Sequence, residues 1–214
     1  MSKILAGLLL FLTLLTSDVS AAATRIRYER MHQGQTVTGH GTAFPVDLTE
    51  WKQKGPHYLL TAAHTVLDNE GKPYNTLVIE LNGSWLAAHV VFFDPYNDVA
   101  VVYTAADLTS LGIETLAALD SDVETKIRTT GSKYGKPLTE NKGEVVDQFF
   151  MGRARHIAKV HTDHGDSGCP VYDGKKVCGM IVEVPMGNDG QANTNYGIYV
   201  PIVTLRSFLH KAFK

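Results

Sequence analysis

Three short segments of the chain carry polar residues that could together perform nucleophilic catalysis. The segment HTDHGDSGCP, residues 161–170, contains Ser167 between two glycines. Earlier in the chain, His64 follows the apolar run of LLTAAHTV, and Asp98 precedes another in DPYNDVAVVY. A serine hydroxyl becomes a good nucleophile when a base takes its proton, and histidine suits this task because its pKa lies near neutrality. A carboxylate can then orient the imidazole and stabilise the imidazolium, so the three residues predict a catalytic triad.

A metal site is an alternative interpretation of the same ten residues. Histidine and aspartate are zinc-ligand types, and the HxxH spacing occurs in zinc sites. The residues concerned are His161, Asp163, His164 and Asp166. We find no further His or Cys at a recognisable zinc spacing, so we expect no metal. The polar loop GNDGQANTN, residues 187–195, could bind calcium, but its glycine and asparagine content favours an ordinary loop.

The amino-terminal 23 residues have the layout of a secretory signal peptide. Lys3 precedes an apolar run over residues 4–15, and small residues follow as far as Ala23. We expect cleavage after Ala21 or Ala23. A transmembrane anchor is the alternative, but this run is shorter than the ~20 apolar residues that span a bilayer. The protein is therefore predicted to be secreted or periplasmic, with no membrane attachment after cleavage.

Composition and patterning point to a β protein that does not bind nucleic acid. The 214 residues carry a net charge of −2, which provides no electrostatic footprint for nucleic acid. About a dozen short runs rich in Val, Ile, Tyr and Phe alternate with turn signals, as in antiparallel barrels or sandwiches. Residues 203–213, VTLRSFLHKAF, form the one convincing helical pattern outside the signal. Residues 108–122 break the strand rhythm and predict a crossing between two halves.

Two dipeptides predict tight β-hairpins, and one of them makes a prediction about the cysteines. Asn-Gly at 82–83 and Asp-Gly at 173–174 both suit type I′ turns. Counting outward from the second turn pairs Cys169 with Cys178 at a non-hydrogen-bonded site, where strands approach closely enough for a disulfide. Export also favours oxidation. We therefore expect a Cys169–Cys178 disulfide, with two free buried thiols as the alternative.

Taken in order, the three catalytic segments strongly resemble those of the trypsin/chymotrypsin-like serine proteases. The resemblance covers essentially the whole chain after the signal, and its further motifs are GHGTAF, TTGSKYGKPLTENKGEVV, VCGMIVEV and GIYVPI. It is closest to bacterial trypsin-like and DegP/HtrA-like protease domains, with no PDZ-like domain expected. The implied fold is all-β: two antiparallel six-stranded β-barrels with a C-terminal α-helix. The expected organisation is a signal peptide at 1–23, an N-terminal barrel at 24–112, a C-terminal barrel at 113–201 and the helix at 202–214.

The resemblance assigns roles to the catalytic residues. His64 is the general base and acid, Asp98 orients it, and Ser167 is the nucleophile of an acyl-enzyme mechanism. The backbone N–H groups of Gly165 and Ser167 form the oxyanion hole. We expect a monomeric serine endopeptidase that acts on protein or peptide substrates and needs no cofactor. The alternative is a catalytically silent binding module of the same fold, but such modules usually lose a triad member, and all three are present here.

Asp166 is expected to need a buried cationic partner. In zymogen-type members this aspartate pairs with a new amino terminus that begins Ile-Val-Gly-Gly, a sequence that this chain lacks. Arg128 is the expected partner, as in some bacterial members, and the mature amino terminus near Thr24 is the alternative. We therefore expect activity without zymogen cleavage. Val182 stands where a serine often supports the catalytic aspartate.

The specificity pocket is implied to contain His161, Thr162, Glu183 and Gly197. His161 occupies the position at which trypsins have aspartate, so cleavage after Lys or Arg is disfavoured. His161 and Thr162 could favour an acidic or amide side chain. Against this, Ile181 stands where glutamyl-specific relatives have histidine, and Glu183 would repel acidic substrates. The preference is left open.

Overall fold

The computed structural model describes residues 22–32, 34–148 and 154–214. The predicted signal peptide therefore lies outside the described residues, except for Ala22 and Ala23. The strands are β1 (Thr24–His32), β2 (Gln35–Pro45), β3 (Tyr58–Thr61), β4 (Thr76–Leu81), β5 (Ser84–Ala87), β6 (His89–Asp94), β7 (Val99–Tyr103), β8 (Lys126–Gly131), β9 (Thr139–Asp147), β10 (His156–Lys159), β11 (Pro170–Asp173), β12 (Lys176–Glu183) and β13 (Gly197–Pro201). The α-helices are α1 (Ala63–Val66) and α2 (Ile202–Ala212), and short 3-10 helices lie at Thr49–Trp51, Thr109–Leu111 and Lys133–Gly135. No helix in the described ranges is long and apolar enough to cross a membrane.

The strands form two antiparallel units, which confirms the predicted fold class. The C-terminal half is a closed six-stranded barrel in the order β10-β13-β12-β11-β8-β9. The N-terminal half is a seven-stranded sheet in the order β5-β4-β1-β2-β3-β7-β6, in which the strand pairing does not return from β6 to β5. This half therefore differs from the expected closed six-stranded barrel. The seventh strand arises because the apolar run WLAAHVVFF divides at Ala88, so that β5 pairs with β4 and β6 pairs with β7.

Helix α2 closes a core that is shared by the two halves. Its buried residues follow helical spacing along one face. They are Ile202, Leu205, Phe208 and Leu209. The same hydrophobic cluster includes Phe44 and Val101 from the N-terminal sheet and Met180 and Val200 from the barrel. Because apolar surface from both halves is removed from water together, the halves are held against each other.

The Asn-Gly hairpin has the predicted register. Leu81 pairs with Ser84 across the turn. Asn82 and Gly83 have φ angles of 51° and 78°, as a type I′ turn requires at both central positions. Asparagine and glycine tolerate these angles better than other residues do, so the local sequence was sufficient to specify this turn.

The second hairpin, between β11 and β12, has a different register from the one predicted. Asp173 pairs with Lys176, which places Gly174 and Lys175 in the turn. A β-bulge follows, where the register shifts between Val171 and Tyr172. A bulge gives one strand an extra residue, so all pairs beyond it move by one position.

The predicted Cys169–Cys178 disulfide is wrong for this reason. Cys178 is the extra residue of the bulge, and the carbonyl of Cys169 accepts a hydrogen bond from the Ile181 N–H instead. Both cysteines are free and buried. Burial raises the pKa of Cys169 well above its ordinary value and that of Cys178 to about 11. These thiols are therefore protonated core residues with little nucleophilic character near neutral pH.

Candidate active site

The structure brings His64 and Asp98 into direct contact. His64 lies in α1, immediately after the buried end of β3, and Asp98 ends the turn between β6 and β7. The His64 Nδ1 atom lies 2.7 Å from Asp98 Oδ2, and the His64 backbone N–H donates to Asp98 Oδ1 at 2.9 Å. Both carboxylate oxygens are thus engaged by one residue. With the proton on Nδ1, the Nε2 atom is left free to accept a proton from a serine hydroxyl.

The turn that carries Asp98 is held in an uncommon backbone conformation. Asp98 has φ +53°, in the left-handed region that few non-glycine residues adopt. Asn97 fastens the turn, because its backbone N–H and its side-chain amide both donate to the Asp94 carboxylate, at 3.1 and 2.7 Å. Backbone strain of this kind concentrates at functional sites. This conformation directs the Asp98 carboxylate at His64.

The surroundings of His64 favour its protonated form. Burial by itself would lower the pKa of this imidazole. The hydrogen bond and charge of Asp98, with a further contribution from the charge of Glu183, outweigh burial and raise the pKa above its ordinary value. An imidazole so placed is a stronger base, and the imidazolium that forms during catalysis is stabilised.

The segment that contains Ser167 is a tight loop in which two glycines are required. Gly165 and Gly168 have φ angles of +96° and +87°. A Cβ atom at Gly165 would lie 2.2 Å from the Ser132 carbonyl oxygen, and one at Gly168 would lie 2.1 Å from the Thr42 carbonyl oxygen. Any larger residue would therefore push the loop away from its supports.

Thr42 on β2 fastens this loop to the N-terminal half, a role that the sequence did not reveal. Its backbone N–H donates to the Ser167 carbonyl at 2.9 Å, and its hydroxyl donates to the Gly165 carbonyl at 2.8 Å. The hydroxyl also accepts the Ser132 N–H at 3.0 Å. The Thr42 carbonyl in turn accepts the hydroxyl of Thr61, at the end of the strand that leads to His64. One strand thus positions both the candidate nucleophile and the candidate base.

Alternate backbone N–H groups of the loop lack an acceptor among the residues that the structure describes. The N–H groups of Asp166, Gly168 and Cys169 donate to carbonyls at 3.1, 2.7 and 2.9 Å. Those of Gly165 and Ser167 donate to no acceptor in the part of the chain that the structure describes. Two unused N–H groups beside a serine could stabilise a developing oxyanion. The described residues show no hydrogen bond between the Ser167 hydroxyl and His64, a bond that is often long in enzymes without substrate.

A comparison with protein families identifies the chain. Residues 41–180, which include His64, Asp98 and Ser167, match the trypsin-like peptidase domain. The chain belongs to the trypsin-like peptidase family. No curated protein matches it.

Solved structures with the same fold include three of the Rv3671c protease. The active form from M. tuberculosis is 19% identical, with a TM-score of 0.70 over 92% of this chain and 82% of that one. An inactive form is 18% identical, with a TM-score of 0.68 and 92% of each chain covered. An inactive serine-to-alanine mutant from M. tuberculosis H37Rv is also 18% identical, with a TM-score of 0.66 and coverages of 92% and 88%. At this identity the likeness concerns the fold.

The aspartate before the candidate nucleophile in this trypsin-like peptidase forms no ion pair with any described residue. Asp166 is 2% exposed, and its Oδ2 atom accepts the Asp163 N–H at 3.0 Å. Its buried Oδ1 atom has no hydrogen-bond partner among the described residues. Burial raises the pKa of Asp166 to about 6, because the charged form loses its hydration.

The expected pairing of Asp166 with Arg128 is not formed. Pairing of β8 with β11 places Arg128 opposite Tyr172. The guanidinium carbon lies 3.9 Å from the centroid of the Tyr172 ring, and one guanidinium nitrogen lies 3.5 Å from the Glu140 carboxylate. The alternative partner is a mature amino terminus near Thr24; two residues before it, the Ala22 backbone N–H donates to Glu114 Oε1 at 2.8 Å.

The pocket residues implied by the resemblance lie on neighbouring segments. His161 is exposed, and its Nδ1 atom lies 2.9 Å from the Thr194 carbonyl oxygen, which also accepts the Thr162 N–H at 2.9 Å. A Cβ atom at Gly197 would lie 2.6 Å from Thr162 Oγ1 and 2.9 Å from Ile181 Cδ1. Thr162, Gly197 and Ile181 therefore converge. Glu183 is exposed on β12, on the side whose charge reaches His64.

Tyr134 is a second residue of the site that sequence reasoning missed. Its backbone N–H donates to the His164 carbonyl at 2.7 Å, and its hydroxyl donates to Asp163 at 2.7 Å. It has φ +51°, again in the left-handed region. Of the residues of the metal interpretation, His161 and Asp163 have other side-chain partners, and no group of three candidate ligands is close enough to hold a metal within the described ranges.

Proposed function

We propose that this trypsin-like peptidase is an exported serine endopeptidase that works through Ser167, His64 and Asp98. The observation that carries the proposal is the pairing of His64 with Asp98 beside a glycine-supported serine loop with two unused N–H groups. Family membership supports it independently, because the matched span contains all three residues. Export and release from the membrane are supported by the sequence of residues 1–23.

The chemistry is acyl transfer from the peptide to Ser167 and then to water. His64 Nε2 takes the hydroxyl proton of Ser167 as its oxygen attacks the scissile carbonyl carbon. The oxyanion that forms is stabilised by the N–H groups of Gly165 and Ser167. The imidazolium, stabilised by Asp98, gives its proton to the leaving amine as the C–N bond breaks. Water then attacks the acyl-enzyme with His64 again as base, which releases the acid and regenerates the serine.

The geometry of the pocket bears on the side chain that it accepts. Thr162 and Ile181 converge at Gly197 and supply no carboxylate there to meet a Lys or Arg side chain, and the Glu183 carboxylate is exposed on β12. This supports a preference for small uncharged side chains over basic ones, to be measured by cleavage of a peptide library. A side-chain preference of this kind is set by differential stabilisation of the transition state.

A fluorophosphonate probe tests the proposed nucleophile directly. We expect stoichiometric labelling of Ser167 in the wild-type protein and none in Ser167→Ala. Ser84→Ala, which removes an exposed serine of β5, is the matched control and should label normally. His64→Ala should slow labelling because the hydroxyl loses its base. If folded wild-type protein is not labelled, the chain is a catalytically silent binding module of the same fold.

A further inference from the structure

A buried carboxylate lies where the chain crosses between the two halves. Glu114 is 7% exposed and belongs to the segment between β7 and β8. Its Oε1 atom accepts the Ala22 N–H at 2.8 Å and the Tyr172 hydroxyl at 2.6 Å. Ala22 and Ala23 are themselves 3% and 4% exposed. The start of the described chain is therefore tied to the crossing segment and to the strand that follows Ser167.

The charge of Glu114 is not compensated by any side chain that the structure describes. No described Lys, Arg or His lies within ion-pair distance of it. Arg128 is directed at the face of the Tyr172 ring. Burial and the charge of Glu114 raise the pKa of Tyr172 far above its ordinary value, so this hydroxyl stays a neutral donor. A buried carboxylate normally has an opposite charge beside it, since two neutral hydrogen bonds do not replace its hydration.

The sequence offers a source for the missing positive charge. Ala22 follows the apolar leader, with Ala21 as a small residue at one of the two expected cleavage positions. Hydrolysis of the 21–22 peptide bond consumes one water and leaves a carboxylate on the leader and an α-ammonium on Ala22. The new charge would reside on the same nitrogen that already contacts Glu114 Oε1.

We propose that the mature chain begins at Ala22 and that its α-ammonium forms a buried ion pair with Glu114. Cleavage after Ala23 would remove the residue that contacts Glu114, so the contact favours cleavage after Ala21. The pair joins β1, the crossing segment and, through Tyr172, β11 of the barrel. It differs from the zymogen pairing of the family because its carboxylate is Glu114 and not the aspartate beside the nucleophile. The proposal rests on the proposed export and is independent of peptidase activity.

The first test is a thermal unfolding comparison at pH 7 of chains that begin at Ala22 or carry one extra glycine before it. Both are made by removal of a fusion partner that leaves no other residue. We expect the extended chain to unfold roughly 6–20 °C lower, as for the loss of one buried pair in a domain of this size. In Glu114→Gln the same extension should have little effect, because the carboxylate is gone. Glu124→Gln, at an exposed glutamate, is the control and should retain the full difference.

The second test reads the amino terminus itself. Protein exported with its leader should begin at Ala22 by mass spectrometry, and the Ala22 amine should resist acetylation at pH 7 unless Glu114 is replaced by Gln. If Glu114→Gln does not fold, Tyr172→Phe keeps the carboxylate and the ring, and the extension should still lower its unfolding temperature. A different first residue, or an equal effect of the extension with and without Glu114, would overturn the proposal. None of these measurements uses peptide cleavage, so a failure of the proposed catalytic function is detected separately.

Discussion

Two aspartates beside the candidate triad have opposite surroundings. Asp98 has both carboxylate oxygens engaged by His64, one through the imidazole and one through the backbone N–H. Asp166 is almost fully buried, with one oxygen on the Asp163 N–H and the other without a partner among the described residues. The first carboxylate can compensate a positive charge that appears on its neighbour. The second has no such neighbour among the described residues, and burial raises its pKa to about 6.

The contrast distinguishes Asp98, which is placed to assist the proposed catalysis, from Asp166, which is buried in the loop. Replacement of the carboxylate by a neutral amide should therefore greatly reduce catalysis at Asp98. At Asp166 the same replacement should increase the free energy of unfolding. Glu183 is a third case, because it is exposed and makes a smaller contribution to the raised pKa of His64 through its charge. The three residues can be compared through isosteric or near-isosteric substitutions.

The largest effect is expected for Asp98→Asn. The asparagine amide would favour the wrong imidazole tautomer, and the imidazolium would lose its counter-charge, so kcat/KM should fall about 10⁴-fold. The measurement is steady-state hydrolysis of a peptide substrate at pH 8, with the thermal unfolding temperature as a check on folding. Asp94→Asn removes a carboxylate from the same turn without touching His64 and should cost much less. A comparable loss of kcat/KM in both variants would show that activity depends on the conformation of the turn and not on the charge of Asp98.

A smaller effect of opposite sign is expected for the stability of Asp166→Asn. Burial raises the pKa of Asp166 to about 6 in the folded state, from an ordinary value of 3.8. The folded state therefore binds a proton more tightly than the unfolded state, and stability is lost as the pH rises from about 4 through 6. The neutral asparagine avoids this loss. Its free energy of unfolding relative to wild type should rise by up to ~3 kcal/mol between pH 4 and pH 7.

Urea unfolding at the two pH values measures this difference for Asp166. Asp122→Asn, at an exposed aspartate, is the control and should show little change with pH. If the relative stability of Asp166→Asn is independent of pH, the carboxyl group is solvated in the folded protein; if it falls as the pH rises, the carboxylate is paired with a cation. Either result would remove the contrast with Asp98.

The smallest effect is expected for Glu183→Gln. His64 must be unprotonated to accept the serine proton, so kcat/KM falls as the pH drops through its pKa. The charge of Glu183 helps to raise that pKa, and its removal should shift the acid limb of the pH profile to lower pH. Glu124→Gln should leave the profile unchanged. A shift of the acid limb to higher pH, or no shift, would show that the charge of Glu183 does not raise the pKa of His64.

The sequence predicted the parts of the molecule that depend on local residue types. The Asn-Gly turn has its predicted register because residues 82 and 83 both tolerate positive φ. The terminal helix and the trypsin-like fold class are confirmed as well. The Asp-Gly dipeptide misled the prediction, since the turn lies at Gly174 and Lys175 and a bulge follows it, and together they move Cys178 out of register with Cys169. A bulge is selected by packing on both faces of a strand, which local sequence does not report.

Tertiary structure alone decided which charged groups meet. Arg128 was expected at Asp166 and instead stacks on Tyr172, because strand pairing sets its neighbour. Glu114 and Ala22 are far apart in sequence, and no motif joined them before the fold placed both at the crossing.

By itself the sequence determined the residue types and order of the candidate triad and the glycines that its loop requires, because these are properties of short segments. It could not determine long-range partners. Those depend on strand register, and a shift of one residue in register changes every contact beyond it.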